Sequence, residues 1–400
     1  MMADMQKVIV AGVGMTPFVK PGTERPYDEL GAAAARIALD DAGLTYADIQ
    51  QVYAGYVYGD STCGQLAAYR LGLTGVPIVN VNNNCSTGSS ALFLARQAVA
   101  SGAADCVLAM GFEQMRPGAL GDVWPDRPSP LAPFLAAVET VRGPAEVPPA
   151  LYLFGGAGAE YAERYGMAPE SFAMVAVKAR RHAEHNDKAI FRKAVTVEEV
   201  MASPALYGPL TRLQACPPTC GGAAAIVCSE AFARKHGIST DVAIVGQAMT
   251  TDFASSFEPA SAIRAIGFDM TADAAWQVYE QAGVGADDID VVELHDCFTT
   301  NEVLTYEGLG LAPIGGAEKF IRDGDNTYGG KVVTNPSGGL LSKGHPLGAT
   351  GLAQCTELVQ QLRGRAGPRQ VDGARLALQH NLGLGGACVV TLYQLDGAAR

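Results

Sequence analysis

The second half of the 400-residue chain repeats the order of short motifs found in the first half. Residues 8–15 (Val-Ile-Val-Ala-Gly-Val-Gly-Met) match residues 242–249 (Val-Ala-Ile-Val-Gly-Gln-Ala-Met), and the Ala-Gly pair at 42 recurs at 282. The helical pattern after Cys85 recurs after His345. Each match is short, but because all of them come in the same order, they predict a duplicated domain.

Apolar runs alternate with helical patterns in both halves, which predicts an α/β fold with a parallel or mixed sheet covered on both faces. We expect residues 1–115 to form the first half, completed by residues 210–238, and residues 239–400 to form the second. Residues 116–209 are rich in proline and then helical in pattern, so they are predicted to be an insertion lying over the sheets.

Composition excludes several classes of function. The net charge of −12 and the lack of a basic stripe argue against a nucleic-acid partner. No stretch of about 18 apolar residues predicts a membrane span. The nine cysteines follow no disulfide framework and the N-terminus lacks a signal-peptide pattern, so we expect a reducing, cytoplasmic location. Cys216 and Cys220 lack the second pair that a zinc site needs, and no metal is expected.

Cys85 lies in the segment Asn-Asn-Asn-Cys-Ser-Thr-Gly, after the apolar run 76–81 and before a helical pattern. It is therefore predicted at the junction of a strand and a helix, where free backbone N–H groups and the helix dipole favour a thiolate. The alternative is a buried structural cysteine, because free cysteines are among the most buried residues.

The repeat pairs Cys85 with His345, since each precedes an equivalent helix. If the halves pack about a pseudo-twofold axis, the two helix starts converge. A thiol beside a histidine is the minimum for nucleophilic catalysis, in which the imidazole removes the proton and the thiolate attacks. The alternative, a structural histidine, is less common before a proline at a glycine-flanked helix start.

Two further segments place ionisable groups at predicted strand ends, where α/β sheets usually bind ligands. His295-Asp-Cys297-Phe follows the strand 289–294, and His380-Asn-Leu-Gly383 follows the strand 375–378. Gly383 could offer a backbone N–H to an oxyanion. Cys297 is either a second acid/base or a core thiol.

Four motifs together resemble the thiolase superfamily, and most closely its sterol carrier protein X type. They are Asn-Asn-Asn-Cys-Ser-Thr-Gly (82–88), His-Asp-Cys-Phe (295–298), Gly-His-Pro-Leu-Gly-Ala-Thr-Gly (344–351) and His-Asn-Leu-Gly-Leu-Gly-Gly (380–386). The resemblance covers nearly the whole chain. It implies two five-stranded βαβαβαββ halves with an inserted loop domain, a homodimer or homotetramer, and thiolysis of 3-oxoacyl-CoA or the reverse Claisen condensation.

The resemblance also implies roles for single residues. Cys85 would be the acyl-accepting nucleophile, His345 its activator, and Cys297 the acid/base at the α-carbon. His295 would take the place of a family asparagine that polarises the thioester carbonyl, while the N–H groups of Cys85 and Gly383 would form an oxyanion hole. Coenzyme A would be a substrate, with no resident cofactor. Separately from the resemblance, the positive charge of Lys178, Arg181 and His182 and their place in the insertion suggest a contact with CoA, and the alternative is a solvated helix face.

Two departures from the family pattern leave questions open. Relatives of this type usually carry an aspartate where this chain has Gly221, and the chain ends at Arg400 without a fused sterol-carrier domain or a Ser-Lys-Leu-like ending. We expect a free-standing enzyme. The alternatives are a retro-aldol lyase that acts on steroid side-chain thioesters with an OB-fold partner, and a non-catalytic acyl-CoA or lipid carrier. The sequence leaves the acyl chain, the reaction direction and the oligomeric state undetermined.

Overall fold

Two similar sets of strands and helices make up the computed structural model, which describes residues 6–116, 121 and 124–396. The first set alternates strands with helices up to residue 113 and returns to its sheet after the insertion. Its elements are β1 (Val8–Met15), α1 (Tyr27–Ala42), β2 (Gln51–Gly55), α2 (Cys63–Tyr69), β3 (Ile78–Val81), α3 (Thr87–Ala100), β4 (Cys106–Glu113), and then, after α4 (Ala132–Arg142), α5 (Pro149–Tyr165), α6 (Pro169–Ala183) and α7 (Val197–Met201), β5 (Gly221–Ser229) and α8 (Glu230–His236).

The second set repeats this order without a long insertion, so its last two strands follow each other directly. Its elements are β6 (Val242–Thr250), α9 (Ala262–Ala265), α10 (Phe268–Ala282), β7 (Val291–Glu293), α11 (Thr299–Gly308), α12 (Ala317–Arg322), β8 (Val333–Thr334), α13 (Gly339–Ser342), α14 (Leu347–Leu362), β9 (Leu376–Gly383) and β10 (Ala387–Leu395).

The ten strands form one mixed sheet in the order β3-β2-β4-β5-β1-β6-β10-β9-β7-β8. Read outward from the centre, each half gives the same series of equivalent strands. The halves meet through a short antiparallel pairing of β1 and β6, with Val8 opposite Ile244 and Ile9 opposite Ala243. This arrangement confirms the predicted duplication and the mixed five-stranded halves of a thiolase fold.

Helices α3 and α14 pack against each other and against strands of both halves, so they form the central helical layer. Glycine makes the crossing possible, because a Cβ on Gly88 would lie 2.7 Å from the carbonyl oxygen of Gly348. A Cβ on Gly348 would lie 2.4 Å from the carbonyl oxygen of Phe112. The starts of both helices are thereby held close to the middle of the molecule.

The insertion packs on the second half. Helix α5 contacts α9 and α11, while α6 contacts α11, α12 and α13. Phe154, Tyr161 and Phe172 from the insertion share one apolar core with Val303 and Tyr306 of α11. Both long insertion helices have proline in the first turn, where its missing N–H breaks no hydrogen bond.

The structure corrects one predicted strand limit and explains the glycine at position 221. Strand β9 continues to Gly383, so His380 and Asn381 lie inside a buried strand; the prediction of a strand ending at residue 378 was wrong because pairing with β10 extends it. At the start of β5, a Cβ on Gly221 would lie 2.4 Å from the Phe18 ring, so this ring occupies the space that a side chain would need.

Among the described residues, no helix combines the length and apolarity that a transmembrane crossing requires.

Candidate active site

Cys85 occupies the turn between β3 and α3. Its predecessor Asn84 has a left-handed backbone (φ 51°), which places the thiol before the first helical residue, Thr87. Hydrogen bonds within the turn hold it, since Ser86 Oγ donates to the Asn83 carbonyl at 2.9 Å. Cys85 is half-buried and lines an internal cavity of about 350 Å³. The predicted position between strand and helix is therefore the observed one.

The Cys85 side chain favours the protonated form, contrary to the expected thiolate. Burial, followed by the nearby Glu113 carboxylate, raises the pKa of the thiol to about 12. The thiol also donates weakly to Asn84 Oδ1 at 3.4 Å. The effect of the helix start is too weak to offset desolvation here, so the Cys85 thiol would need a base to become a nucleophile.

The contacts of His345 decide which of its ring nitrogens carries the proton. It immediately precedes Pro346 and α14, and its backbone N–H donates to Thr219 Oγ1 at 3.1 Å. Nδ1 lies 2.7 Å from Thr350 Oγ1, whose hydroxyl donates to the Pro346 carbonyl at 3.0 Å. With the hydroxyl proton directed to that carbonyl, Thr350 Oγ1 accepts from Nδ1, which then carries the imidazole proton. Nε2 is then a free lone pair, and it is buried without a hydrogen-bond partner among the described residues.

The neutral state of His345 follows from its surroundings. Burial lowers the pKa of the imidazole to about 3, so it carries no charge at physiological pH. A neutral imidazole with an unprotonated Nε2 is the form required of a general base.

His295 lies against His345, with ring centroids 5.1 Å apart and planes at 84°. It is buried, and burial lowers its pKa well below the usual value. Its Nδ1 lies 3.0 Å from Asn381 Nδ2, and its backbone N–H donates to His380 Nδ1 at 3.4 Å. Two neutral histidines therefore meet beside Cys85.

Cys297 and Cys216 line the same cavity as Cys85. Their segments are joined by a hydrogen bond from the Cys216 backbone N–H to the Cys297 carbonyl at 2.8 Å. Burial raises the pKa of the Cys297 thiol well above its usual range, so it is a proton donor in its resting state. Cys220 points elsewhere, toward the backbone of Met115. The cavity thus presents three thiols, of which sequence analysis had identified two.

Most of the remaining cavity wall is apolar, as is usual for ligand sites. The apolar residues of the wall come from the insertion and from segments close to Cys85, Cys297 and His345. They are Tyr58, Met115, Trp124, Pro128, Pro130, Leu131, Pro149, Phe154, Phe298, Leu347 and Leu384.

Two backbone amides lie near the resting thiol. The N–H groups of Cys85 and Leu384 approach the Cys85 sulfur and oppose the rise of its pKa. Gly383 lies opposite Ala387 at the end of β9, and its predicted role at a substrate oxyanion stays a prediction. Its lack of a side chain still matters, because a Cβ there would lie 2.2 Å from the Asn83 carbonyl oxygen.

Glu113 at the end of β4 is a site residue that the sequence analysis missed. Its buried carboxylate accepts hydrogen bonds from the N–H groups of Val57, Tyr58 and Gly348 at 2.9–3.1 Å. Burial raises its pKa to about 7. The sequence signal that could have identified Glu113 is an acidic residue at the end of an otherwise apolar strand. Glu113 ties the start of α14 to the loop after β2.

The cationic cluster of α6 does not reach the cavity. Lys178 is buried and pairs with Glu302, and it also donates to Tyr306 and Thr334. His182 is buried between the Asn335 carbonyl and Thr327 Oγ1. Both side chains stabilise the packing of α6 on the second half and lie outside the cavity wall, and their predicted contact with CoA stays a prediction. Arg181 is exposed, contacts Thr327, and does not line the cavity.

Cys85, His295 and His345 also offer metal-ligand atoms that lie within 4.8 Å of one another. Thiolate and imidazole are the ligands that zinc prefers, and three of them with one open position would suit a catalytic zinc. The proton on each imidazole decides whether that set can bind, since only an unprotonated nitrogen is a ligand.

Comparison with known proteins identifies the same two halves. The family described as "Thiolase, N-terminal domain" matches residues 8–231, and "Thiolase C-terminal domain-like" matches residues 254–392. Sterol carrier protein 2 of Oryctolagus cuniculus is 55% identical over 398 residues, covering 98% of this chain and 73% of the rabbit protein.

More distant relatives share the full length. Acetyl-CoA acetyltransferase of Methanothermobacter thermautotrophicus is 35% identical over 97% of this chain and 100% of its own. Among solved structures, the Ltp2-ChsH2(DUF35) aldolase superposes with a TM-score of 0.83 at 24% identity, covering 100% of both chains. At that identity the superposition shows a shared fold.

Proposed function

The chain belongs to the thiolase family, among the relatives of sterol carrier protein 2, and we propose that it catalyses 3-oxoacyl-CoA thiolysis or the reverse condensation. Family membership supports an acyltransferase. The observation that carries the finer proposal is the meeting of a protonated thiol, Cys85, with the unprotonated Nε2 of His345 on the wall of an apolar cavity.

Acylation begins with proton transfer from Cys85 Sγ to His345 Nε2. The thiolate attacks the 3-oxo carbon, and the negative charge that develops on that oxygen is stabilised by the N–H groups of Cys85 and Leu384. The bond between the α- and β-carbons then breaks. The acyl fragment stays on Cys85 as a thioester, and the electron pair passes to the α-carbon of acetyl-CoA or propionyl-CoA as an enolate.

The enolate needs hydrogen-bond donors at its oxygen and a proton at its carbon. The Nε2–H groups of His295 and the newly protonated His345 serve the oxygen, while Cys297 delivers its thiol proton to the carbon. His345 passes its proton to the Cys297 thiolate and then accepts the thiol proton of free CoA, which attacks the acyl-enzyme. Acyl-CoA is released, and the departing Cys85 thiolate recovers its proton from His345. Each proton is returned, so coenzyme A is consumed as a substrate and the cycle requires no resident cofactor.

The cavity favours an apolar acyl group. Four aromatic side chains, those of Tyr58, Trp124, Phe154 and Phe298, enclose it together with proline and leucine side chains. Burial of such a wall against hydrocarbon contributes about 25 cal/mol per Å² of apolar surface. Linear, branched and ring-containing acyl chains all satisfy this requirement.

We also propose that the protein is a homodimer that works in a reducing, cytoplasmic compartment. All nine cysteines are free thiols. Edge strand β3 has one neighbour, and large apolar side chains are exposed beside it: Leu66, Tyr69, Leu73 and Val79. A second copy could cover them, and light scattering of the wild type against Val79→Lys tests this.

The decisive experiment is thiolysis of acetoacetyl-CoA and of a long-chain 3-oxoacyl-CoA by wild type and by Cys85→Ala. We expect turnover by the wild type, a loss of at least about 10⁴-fold in the variant, and an acyl-enzyme visible by mass spectrometry only in the wild type. Folded, CoA-binding wild type that turns over neither substrate would refute the proposal. Retro-aldol cleavage with an added OB-fold partner would then identify a lyase, and acyl-CoA binding alone a carrier.

A further inference from the structure

We propose that Asn381 is a positioning residue that holds the proton of His295 on Nε2, so that His295 can donate a hydrogen bond but can act neither as a base nor as a metal ligand. The position of the proton follows from hydrogen-bond geometry alone. The catalytic use of the donor rests on the proposed function.

The carbonyl oxygen of Gly351 can only accept a hydrogen bond, and it thereby orients the amide of Gln379. Gln379 Nε2 donates to that carbonyl at 2.7 Å, and the same nitrogen donates its second proton to Ser89 Oγ at 2.8 Å. The Gln379 Oε1 atom accepts from the hydroxyl of Tyr393. The contacts of the amide nitrogen and the contact of the amide oxygen therefore fix the same orientation of the Gln379 side chain.

Ser89 links the orientation of the Gln379 amide to that of the Asn381 amide. Because Ser89 Oγ already accepts from Gln379, its own proton is free to donate, and it does so to Asn381 Oδ1 at 2.8 Å. The Nδ2 group of Asn381 must then face His295 Nδ1, 3.0 Å away. An amide NH₂ only donates, so Nδ1 of His295 accepts and its proton lies on Nε2. All four side chains are buried, which excludes competition from bulk water.

The neighbouring histidine is held in the opposite form. Thr350 keeps the proton of His345 on Nδ1 and leaves its Nε2 as a lone pair. Two imidazoles 5.1 Å apart thus have different roles although both are neutral and buried. Without Asn381, both could present lone pairs beside Cys85, and the three side chains would then match a zinc site.

The test replaces Asn381 with aspartate, which has the same shape but accepts where asparagine donates. In Asn381→Asp the proton of neutral His295 should move to Nδ1, leaving Nε2 as a lone pair. Co²⁺ is the probe, because its coordination by a thiolate gives near-ultraviolet absorption; binding replaces the Cys85 proton, which leaves to solvent. We expect the variant to bind Co²⁺ stoichiometrically at pH 8, and the wild type to bind at least about tenfold more weakly.

The variant should also change the pH profile of thiolysis. At pH 8 we expect kcat to fall by on the order of 10²-fold with KM nearly unchanged, because one donor to the enolate is lost. As pH falls, the introduced carboxylate favours protonation of His295, which restores Nε2–H, so kcat should recover while Co²⁺ binding weakens. The other groups facing His295 are His345, His380 and Cys85, and a matched pH series of Cys85→Ala identifies any contribution of the thiol to Co²⁺ binding.

Asn381→Asp/His295→Ala is the control. It should lose the Co²⁺ absorption, and Asn381→Asp should have no further effect on kcat in the His295→Ala background. The proposal is overturned if Asn381→Asp keeps wild-type kcat, pH profile and Co²⁺ affinity, or if the wild type binds Co²⁺ as tightly as the variant. A gain of Co²⁺ binding in a protein without thiolase activity would support the proton assignment and refute the proposed function separately.

Discussion

The starts of α3 and α14 are equivalent in position and different in chemistry. Cys85 lies just before Ser86, at the N-cap position of α3, and His345 lies just before Pro346, at the N-cap position of α14. The thiol depends on partners from other segments and is protonated at rest, whereas His345 is fixed by Thr350 of its own helix. Duplication supplied two converging helix starts, and divergence of one residue in each supplied an acid–base pair.

After Cys85→Ala, which removes the nucleophile itself, the largest effect on this pair is expected from His345→Ala. A positioned general base is typically worth about 10²–10⁴-fold, so kcat should fall within that range. The pKa of Cys85 is raised to about 12, so without His345 the thiolate fraction, and the rate of alkylation by iodoacetamide, should rise about tenfold per pH unit between pH 7 and 9. Wild-type alkylation should depend less steeply on pH. An unchanged alkylation profile would show that His345 does not activate Cys85.

Cys297→Ala separates the two stages of the reaction. It should remove the proton donor for the α-carbon and slow thiolysis by on the order of 10²-fold or more, because that proton transfer follows acylation chemistry at Cys85. Hydrolysis or CoA exchange of a preformed acyl-enzyme needs no α-carbon proton and should remain within a few-fold of wild type. Exchange of acetyl-CoA α-protons with deuterated water is the direct measurement. Wild-type exchange in Cys297→Ala would assign the proton to another group.

A smaller effect is expected from Thr350→Val, which removes the partner of His345 Nδ1. The Nδ1–H tautomer loses a hydrogen bond that is typically worth about 1 kcal/mol, so kcat should fall by roughly 5–10-fold. Thr356→Val is the matched control on the same helix, because Thr356 Oγ1 also donates to the carbonyl four residues earlier, at 2.9 Å, and has no hydrogen bond to Cys85 or His345. Equal losses in the two variants would mean that Thr350 acts only on helix stability.

Glu113→Gln should act on stability more than on rate, because Glu113 bridges the halves. The pKa of Glu113 is raised from 4.5 to about 7, so the folded protein retains a proton that the unfolded chain releases at lower pH. The stability this contributes is full below about pH 4.5 and is lost as pH rises through about 7. Between pH 4.5 and 8, wild type should therefore lose roughly 3 kcal/mol relative to Glu113→Gln. Urea unfolding across that range measures the difference, and parallel curves would contradict it.

Much of the fold could be predicted from local pattern. The alanine-rich stretch 27–42, closed by a glycine, predicts a helix, and α1 has these limits and ends at Gly43 in the left-handed conformation of a helix C-cap. The apolar stretch 221–229 predicts a strand, and β5 has these limits. Strand β9 was predicted too short, because polar residues such as Gln379 and His380 interrupt the apolar run while β10 still pairs with them. Periodicity reports burial against solvent, and it fails where polar groups are buried against each other.

By itself, the sequence determined the duplicated α/β architecture and brought Cys85, His345, His295 and Cys297 together, since equivalent strand ends and helix starts must meet when the halves pair. Tertiary structure alone decided what state these groups are in. Burial keeps the Cys85 thiol protonated, and Glu302 forms a buried ion pair with Lys178. Asn381 and Thr350 place the protons of two histidines on different nitrogens. The reason is physical: a residue pattern fixes where the backbone goes, whereas proton positions depend on hydrogen-bond partners and desolvation, which distant segments supply only after they pack.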